Sequence, residues 1–232
     1  MTATGDLVIL YGSWQSMWQV TLEEGKITNN KYGSFLHDDL IGVPYGSKVL
    51  NRKGDQWCYL LRPSPEMLTL SLAHRTQIIY HADISAVLML LAVRPGCVVV
   101  EAGTGSGSLS VHLAAACAPN GQLRTFEYNG FRAAEARADF ARYGTPCITC
   151  EERDVIEDGF PVELAGTADA LFLDVPMPWG CLDTVRSTLK PGGRFVSFSP
   201  CIEQVQRVAE ALRSAADGKP PWQEIRTVEC MT

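Results

Sequence analysis

Short apolar segments alternate with amphipathic segments from residue 83 onward, and this alternation limits the fold more than any other feature. Segments of helical periodicity lie at 83–92, 106–118, 131–143, 181–189 and 202–215, and apolar runs of strand length lie at 97–101, 122–128, 147–151, 168–175, 194–198 and 222–230. In the last helix, Ile202, Val205, Ala209 and Leu212 fall on one predicted apolar face. Regular alternation of this kind predicts an α/β domain with a doubly wound parallel sheet and helices on both faces.

The first 65 residues follow a different pattern. Short β-like runs at 7–10, 18–22, 48–49 and 57–61 are separated by turns that contain Gly, Asn and Pro. This pattern predicts a small β-barrel-like or sandwich domain. Pro63 and Pro65 restrict both themselves and the residues before them, so 62–65 is expected to be an extended hinge. We therefore predict a small N-terminal β domain at 1–65 and a second domain at 66–232.

Composition and cysteine use indicate a globular protein of a reducing compartment. The chain is 46% hydrophobic and 20% charged, and its most apolar run, 84–93, is too short to span a membrane. Its N-terminus lacks a signal- or transit-peptide pattern. The eight cysteines are scattered through apolar runs, and the single close pair, Cys147 and Cys150, has no second ligand pair. We expect a cytosolic or nuclear protein without a metal.

The charge distribution bears on the partners that this chain could have. The formal net charge is −6, residues 1–65 carry six basic and six acidic side chains, and the acidic excess lies entirely in 66–232. Nucleic-acid affinity comes largely from Lys and Arg that neutralise phosphates. If the chain handles a polyanion, we expect a partner to supply much of the positive field.

A glycine-rich turn follows the strand at 97–101. Gly103, Gly105 and Gly107 alternate there before a helix begins, which lets the backbone turn sharply and a ligand approach it closely. Glu127 ends the next strand, where a carboxylate can accept hydrogen bonds from both ribose hydroxyls of an adenosine. The pattern predicts an adenosine cofactor, although a tight strand-to-helix connection is the alternative.

S-adenosylmethionine fits this turn better than a nucleotide with phosphates. The turn lacks both the six-residue dinucleotide fingerprint and the Gly-Lys-Ser/Thr of a Walker loop. Glu101, at the strand end, is suited to a cationic amino-acid and sulfonium group. Asp154, after the third strand, could bond the adenine amine or be a solvated loop acid. A nicotinamide-dependent oxidoreductase is disfavoured, because the final glycine spacing and a Tyr-x-x-x-Lys pair are absent.

Asp174 ends the fourth apolar strand, at the sheet edge where open α/β folds bind their ligands. The alternative is a cap on the helix that follows. Pro176 and Pro178 stiffen the loop, but the run differs from the Asn/Asp-Pro-Pro-aromatic motif of adenine N6-methylating enzymes. An exocyclic amine is therefore not the expected nucleophile. His74 and His81 flank the segment 75–80 and could line a pocket or lie in solvent.

Several longer runs carry a family resemblance. They are Asp39-Leu40-Ile41-Gly42, Gly46-Ser47-Lys48-Val49, His74-Arg75-Thr76-Gln77-Ile78-Ile79-Tyr80, the glycine turn, Phe172-Leu173-Asp174-Val175-Pro176, and Ser197-Phe198-Ser199-Pro200-Cys201-Ile202-Glu203-Gln204-Val205-Gln206-Arg207. Over almost all of its length the chain resembles the catalytic subunits of eukaryotic tRNA (adenine-N1)-methyltransferases that modify adenosine 58 of the T-loop. The resemblance implies a Rossmann-like class I methyltransferase domain that uses S-adenosylmethionine.

The resemblance also implies residue roles. Asp174 falls at the family's catalytic acid. The residues at the family's cofactor contacts are Ile79, Gly103, Thr104, Gly105, Ser106, Gly107, Ser108, Glu127, Arg132, Asp154, Val155 and Asp174, to which the charge argument adds Glu101. The residues on segments that touch tRNA in the family are Gly12, Ser13, Trp14, those of 26–33, Gln77, Ile78, Ile79, Tyr80, His81, Leu173, Asp174, Val175, Pro176, Ser197, Phe198, Ser199, Pro200, Cys201 and Gln204.

The family further implies a partner and a compartment. Its catalytic chain assembles with a related inactive subunit into a nuclear two-plus-two heterotetramer that clasps tRNA, which agrees with the acidic balance. Met177 stands where a Ser is common, and the family continues beyond the strand at 222–230 into a closing strand, so we expect the last strand to be missing here. A non-catalytic scaffold subunit and a homotetrameric relative are the alternatives, and the intact glycine turn, Glu127 and Asp174 favour the catalytic kind.

Overall fold

The computed structural model describes residues 1–72, 75–214 and 222–231. Within these residues the contacts define two compact units, Met1–His74 with Ala141–Gly144, and Arg75–Phe140 with Thr145–Thr232. The division falls later in the chain than the boundary predicted after Pro65. His74 and Ala215, which belong to a predicted motif and a predicted helix, lie outside the described residues.

The first unit is built on antiparallel strands. They are β1 (Leu7–Ser13), β2 (Ser16–Thr21), β3 (Ile27–Asn30), β4 (Gly33–Leu36), β5 (Ser47–Leu50) and β6 (Trp57–Leu61). Four of them form a sheet in the order β2-β1-β6-β5, and β3 pairs with β4 as a hairpin. The alternating apolar residues Val8, Leu10, Val20 and Leu60 point to one core, which also contains Phe35. The predicted small β unit is confirmed, and the β3–β4 hairpin was not predicted.

A short helix, α1 (Pro65–Ser71), replaces part of the expected linker. The side chain of Ser64 accepts a hydrogen bond from the backbone N–H of Met67 at 3.4 Å, and Pro65 occupies the first turn, where a missing N–H costs nothing. The sequence predicts only extended chain at these prolines. Together with Ser64 they also begin this helix.

The second unit contains a five-stranded parallel sheet. Its strands are β7 (Val98–Ala102), β8 (Gln122–Glu127), β9 (Ile148–Glu152), β10 (Ala168–Leu173) and β11 (Leu189–Ser197), in the order β11-β10-β7-β8-β9. The helices are α2 (His81–Leu91), α3 (Ser108–Cys117), α4 (Gly130–Tyr143), α5 (Leu182–Thr188) and α6 (Ile202–Arg213). All four strand pairings are parallel, so the predicted α/β doubly wound sheet is confirmed.

Consecutive residues of the central strands pack into two different cores. Val99 of β7 belongs to the cluster that includes Ile84 of α2 and Leu113 of α3. Its neighbour Val100 belongs to the cluster that includes Val185 of α5 and Phe160. Successive side chains of a strand point to opposite faces, so both faces of the sheet are covered and the central strands are mostly apolar.

Two sequence-based predictions near the C-terminus were wrong. No strand occurs among the described residues 222–231; the ring of Trp222 instead lies 5.7 Å from that of Phe195. Alternation alone cannot form a strand, because a strand needs a neighbouring ladder of hydrogen bonds. In α6 the buried residue is Val208, whereas Ile202, placed on the predicted apolar face, is 59% exposed.

The strand order reverses at β7. The chain passes from β7 to β8 and β9 on one side, then returns to β10 on the other side of β7. Open α/β sheets bind ligands beyond the carboxyl ends of the strands at such a point. Glu101, the glycine turn and Asp174 all lie at this reversal.

Among the described residues, every helix is too short or too polar to span a membrane.

Candidate active site

A cleft opens at the carboxyl ends of β7 and β10. Its lining comes from the segment before α2, the end of β7, the glycine turn and the start of α3, and the end of β10. The lining residues are Thr76, Gln77, Ile78, Ile79, Glu101, Gly103, Thr104, Gly105, Ser106, Ser108, Leu109, Phe172 and Asp174. Eight residues predicted to contact the cofactor therefore meet here: Ile79, Glu101, Gly103, Thr104, Gly105, Ser106, Ser108 and Asp174.

The glycine turn needs glycine for two reasons. Gly103 and Gly105 have φ angles of +94° and +54°, in the left-handed region that side chains disfavour. A Cβ on Gly103 would also lie 2.1 Å from the carbonyl oxygen of Asp174, and one on Gly105 would lie 2.7 Å from Oγ1 of Thr76. The turn is thus pressed against the end of β10 on one side and the segment before α2 on the other.

Glu127, at the end of β8, is held by donors from the turn and from α4. One carboxylate oxygen, Oε2, accepts a hydrogen bond from the backbone N–H of Gly105 at 3.0 Å. The other, Oε1, accepts hydrogen bonds from Nε and Nη2 of Arg132 at 3.1 and 2.6 Å and from the backbone N–H of Asn129 at 3.2 Å. The carboxylate is therefore fixed beside the turn by groups of the protein itself.

Glu101 is the more deeply buried acid of the cleft, at 1% exposure. Its Oε2 accepts a hydrogen bond from Oγ of Ser110, in the first turns of α3, at 2.6 Å. Burial is the main cause that raises the pKa of Glu101 to about 7; hydrogen bonds from Ser110 and Thr125 oppose the rise, and the nearby charges of Asp174 and Glu127 contribute to it. The partner Ser110 was not predicted.

Asp174 follows β10 directly, and its backbone N–H donates to the carbonyl of Ala102 at 2.8 Å. Burial and, to a smaller extent, the nearby charge of Glu127 together raise the pKa of Asp174 to about 6. The alternative role as a helix cap does not hold, since the residue before the 3₁₀ turn at Pro178–Cys181 is Met177.

The charge of the cleft has one sign. Glu101 and Asp174 are its only charged lining residues among those that the structure describes, and no Lys, Arg or His lines it. A cationic ligand would relieve the repulsion between these acids, whereas an anionic ligand would increase it. The cleft is therefore suited to a ligand that carries positive charge.

Some predicted cofactor contacts lie outside the lining. Asp154 makes a loop turn, with its Oδ1 accepting from the backbone N–H of Ile156 at 2.9 Å, and Val155 is buried in a core at 4% exposure. These contacts fit the alternative of a loop acid for Asp154. Gly107, within the turn, and the bonded pair of Glu127 and Arg132 are also absent from the lining. For these five residues a cofactor contact stays a prediction.

Two of the predicted RNA-contacting segments, 173–176 and 197–204, meet at the ends of β10 and β11. Leu173 pairs with Ser197, and its carbonyl accepts from the backbone N–H of Phe198 at 2.8 Å. Nε2 of Gln204, in α6, donates to the carbonyl of Pro176 at 3.0 Å. Oγ of Ser197 and Oε1 of Gln204 are buried without a hydrogen-bond partner in the described part of the chain. Two buried polar atoms at this edge therefore lack a hydrogen-bond partner within the described residues.

The other predicted RNA contacts are divided between the two units. Gln77 and Ile78 line the cleft, Tyr80 is 46% exposed, and His81 begins α2. Gly12, Ser13 and Trp14 lie at the end of β1 and in the turn that follows, within the first unit, and Trp14 is 63% exposed. Val175 and Ser199 are partly buried, and Pro200 and Cys201 are exposed. The predicted positions 26–33 begin just before β3 and run through it to the first residue of β4, within the first unit. No group of three or more His, Cys, Asp or Glu residues able to hold a metal occurs among the described residues.

The sheet order, the glycine turn at the reversal and the acid after β10 define a class I methyltransferase fold. The chain belongs to the tRNA methyltransferase complex GCD14 subunit family, whose sequence model matches residues 56–232, and the model of a TrmI-like N-terminal domain matches residues 2–49. The family resemblance and fold class predicted from the sequence are thereby confirmed.

Characterised relatives agree with this assignment. The catalytic subunit of tRNA (adenine(58)-N(1))-methyltransferase from Dictyostelium discoideum is 40% identical over 98% of this chain and 72% of its own length. The corresponding subunit from Candida albicans is 41% identical over 97% of this chain and 67% of its own length. Among solved structures, tRNA (m1A58) methyltransferase TrmI from Aquifex aeolicus matches with a TM-score of 0.72 and 25% identity, covering 90% of this chain and 81% of its own. An S-adenosylmethionine-dependent O-methyltransferase from Thermotoga maritima matches with a TM-score of 0.78 and 32% identity, covering 90% and 77%.

Proposed function

We propose that this protein is the catalytic subunit of a tRNA (adenine(58)-N(1))-methyltransferase. One observation of the structure carries the proposal: the carboxyl-bearing residue Asp174 lies directly against Gly103 of the glycine turn, in a cleft that is lined by acids and lacks basic groups. Family membership and the named relatives supply the substrate, the T-loop adenosine. The intact turn and acids support the catalytic subunit over a non-catalytic scaffold.

The residues of the cleft fit S-adenosylmethionine. Glu127 has lone pairs suited to ribose hydroxyls, and Glu101 and Asp174 offer negative charge to a cationic ligand. Gly103 and Gly105 line the cleft without side chains, so a ligand could approach their backbone. When bound, S-adenosylmethionine supplies an electrophilic methyl group.

Asp174 would act on the target adenine. Adenine N1 has an in-plane lone pair and needs no base before it attacks, but the purine becomes cationic as the new bond forms. An ionised Asp174 that accepts a hydrogen bond from the N6 amine would oppose that charge and could then take the N6 proton. Removing one preorganised group of this kind costs about 2.7–4 kcal/mol in the transition state.

The base must leave its stacked position before it reaches Asp174, because an enzyme that acts on a base takes it out of the stack. Gln77 and Ile78, which line the same cleft as Asp174, support a binding site there for the extruded nucleotide. The predicted contacts of Gly12, Ser13 and Trp14 would engage tRNA from the first unit.

The partner of this chain is a related non-catalytic subunit, in a two-plus-two heterotetramer located in the nucleus. The acidic excess of residues 66–232 supports this part of the proposal, since a chain of net charge −6 needs additional basic surface to bind tRNA. A homotetrameric relative that performs the same reaction is the alternative, and the stoichiometry of the purified active complex separates the two.

The proposal is tested by co-expressing the chain with a candidate partner subunit and supplying unmodified tRNA transcript with labelled S-adenosylmethionine. We expect 1-methyladenosine at position 58, and none with a transcript that carries guanosine there. Asp174→Ala should abolish methylation while leaving cofactor affinity within about tenfold, because its main effect is on the transition state. The exposed acid Asp158 provides the control, Asp158→Ala. Normal turnover by Asp174→Ala, or methylation of another atom, would overturn the proposal.

A further inference from the structure

The segment between Arg75 and Tyr80 has no regular secondary structure, yet it forms one wall of the cleft. Thr76, Gln77, Ile78 and Ile79 all line the cleft, and Gln77 and Ile78 are among the predicted RNA contacts. The position of this wall therefore depends on side-chain and loop contacts, because no helix or sheet ladder fixes its backbone.

Both ends of the segment are bound to the residues that carry the glycine turn. Oγ of Ser106 accepts hydrogen bonds from the backbone N–H groups of Arg75 and Thr76 at 2.9 and 3.1 Å. Oγ of Ser108 donates to the carbonyl of Ile79 at 2.9 Å. The wall that faces RNA in the proposed function is thus bonded directly to the turn that faces the cofactor.

An ion pair strengthens the first of these attachments. Nη1 of Arg75 lies 2.6 Å from Oδ2 of Asp139 on α4, and the two side chains are only 14% and 19% exposed. Nη2 of Arg75 also donates to the carbonyl of Ser106 at 3.3 Å. Nε of Arg75 is buried without a hydrogen-bond partner among the described residues. The guanidinium is therefore desolvated at this atom, which has an energetic cost.

The same helix holds both sides of the turn. Near its start, Arg132 bonds the Glu127 carboxylate, and two turns later Asp139 bonds Arg75. Displacement of α4 would therefore disturb Glu127 and the 75–80 segment together. Two such connections on one rigid helix provide a route by which occupancy of the turn is transmitted to the segment.

We propose that Arg75 and Asp139 are positioning residues that couple the glycine turn to the segment 75–80, so that cofactor binding increases the affinity for tRNA. The inference deepens the proposed function and rests on it for the identity of the two ligands. Neither residue would touch a reacting atom; both would act through Ser106 and the segment. Coupling free energies between two sites are typically worth a factor of about 5–150 in affinity.

The test uses the complete complex of the chain with its partner subunit. The affinity for tRNA transcript is measured with and without S-adenosylhomocysteine, for the wild type, Arg75→Gln, Asp139→Asn and the exchanged pair Arg75→Asp with Asp139→Arg. We expect a wild-type enhancement of about tenfold, its loss in both single variants and its partial return in the exchanged pair. Arg137→Gln, on the same helix, is the control.

Hydrogen exchange of the peptide that covers 75–80 supplies a second readout that requires no RNA. We expect faster exchange in both single variants, with the core strands β7 and β10 unchanged, because only the local attachment is lost. This result is independent of the substrate, so it separates failure of the coupling from failure of the proposed function. An equal enhancement in wild type and variants, no enhancement in the wild type, or unchanged exchange at 75–80 would overturn the inference.

Discussion

Nη2 of Arg132 lies 2.6 Å from Oε1 of Glu127, and Nε of the same guanidinium lies 3.1 Å from that oxygen. The acid is 2% exposed, so its charge is compensated mainly by this arginine and by backbone N–H groups. These contacts fix the orientation of the Glu127 carboxylate. Arg132, which makes two of them, does not line the cleft.

Arg132→Gln should therefore weaken cofactor binding through Glu127. Removing one partner of a buried ion pair leaves an uncompensated charge and costs about 3–5 kcal/mol, and the 25% exposure of Arg132 reduces that figure. We expect a dissociation constant for S-adenosylhomocysteine at least about tenfold higher by calorimetry, together with a lower melting temperature. Arg137→Gln should change neither, and an unaltered dissociation constant for Arg132→Gln would contradict the role.

Glu101→Gln should reduce the preference of the cleft for a positively charged ligand. S-adenosylmethionine carries a sulfonium charge that S-adenosylhomocysteine lacks, so removing a buried negative charge should weaken the first more than the second. We expect the ratio of the two dissociation constants to shift by about tenfold toward S-adenosylhomocysteine, equivalent to about 1.4 kcal/mol. Glu163→Gln, at an exposed acid, is the control; equal weakening of both ligands would contradict the electrostatic account.

Asp174 should lower the stability of the ligand-free protein as the pH rises. Its folded-state pKa of about 6 lies above the ordinary value of 3.8, so the folded protein binds the proton more tightly than the unfolded chain. The stabilising contribution is complete below the unfolded pKa and is lost as the pH rises through about 6. Asp174→Asn should therefore gain free energy of unfolding relative to wild type between pH 4.5 and 7, by up to about 3 kcal/mol.

Denaturant titrations of wild type and Asp174→Asn across that pH range provide the measurement. A free-energy difference that does not change with pH would show that burial does not penalise the ionised acid. The same ionisation should appear in activity, since the proposed reaction uses the charged form of Asp174. The rate at limiting cofactor should rise with pH through this region, where the pKa values of Asp174 and Glu101 are about 6 and 7.

Gly103→Ala should damage the cleft more than an alanine at a comparable glycine elsewhere. Gly103 and Gly96 have φ angles of +94° and +89°, but a Cβ would meet the Asp174 carbonyl at 2.1 Å only at Gly103, and nothing within 4 Å at Gly96. Both substitutions cost about 1–2 kcal/mol of backbone strain. Only Gly103→Ala should also reduce turnover, by roughly 100-fold, because it displaces Asp174. Equal losses of activity would contradict this.

The strands and the turn of the second unit could be predicted because their signals are local. Val98, Val99 and Val100 form the apolar run expected of a strand buried on both faces, and the alternating glycines that follow are unfavourable within a helix. The β3–β4 hairpin gave no such signal, because Ile27–Asn30 is mostly polar and is held by cross-strand pairing. At residues 222–230 the error was the opposite one. The alternation of apolar and polar residues predicted a strand, but no neighbouring strand among the described residues provides the hydrogen-bond ladder that a strand needs.

The candidate site was predictable to a similar depth. Glu101, Glu127 and Asp174 each end a predicted strand, so the topology brings them to one edge. Their partners were harder to predict. Asp139 lies on a helix that looks like an ordinary amphipathic surface segment, and its pairing with Arg75 depends on the packing of elements far apart in the chain. Nothing in the sequence distinguishes Ser110 from the other small residues of α3. Its role as the hydrogen-bond donor to the buried carboxylate of Glu101 is visible only in the structure.

The acids of the cleft also affect the stability of the protein and therefore its lifetime in the cell. A ligand that binds only the folded state raises stability in proportion to the logarithm of its concentration, and here it would also remove a repulsion that the empty protein must tolerate. In a cell short of methyl donor the empty form would predominate, and proteases remove the less stable form faster. We expect the abundance of this chain to follow the supply of methyl donor, so that starvation reduces the number of enzyme molecules as well as their turnover.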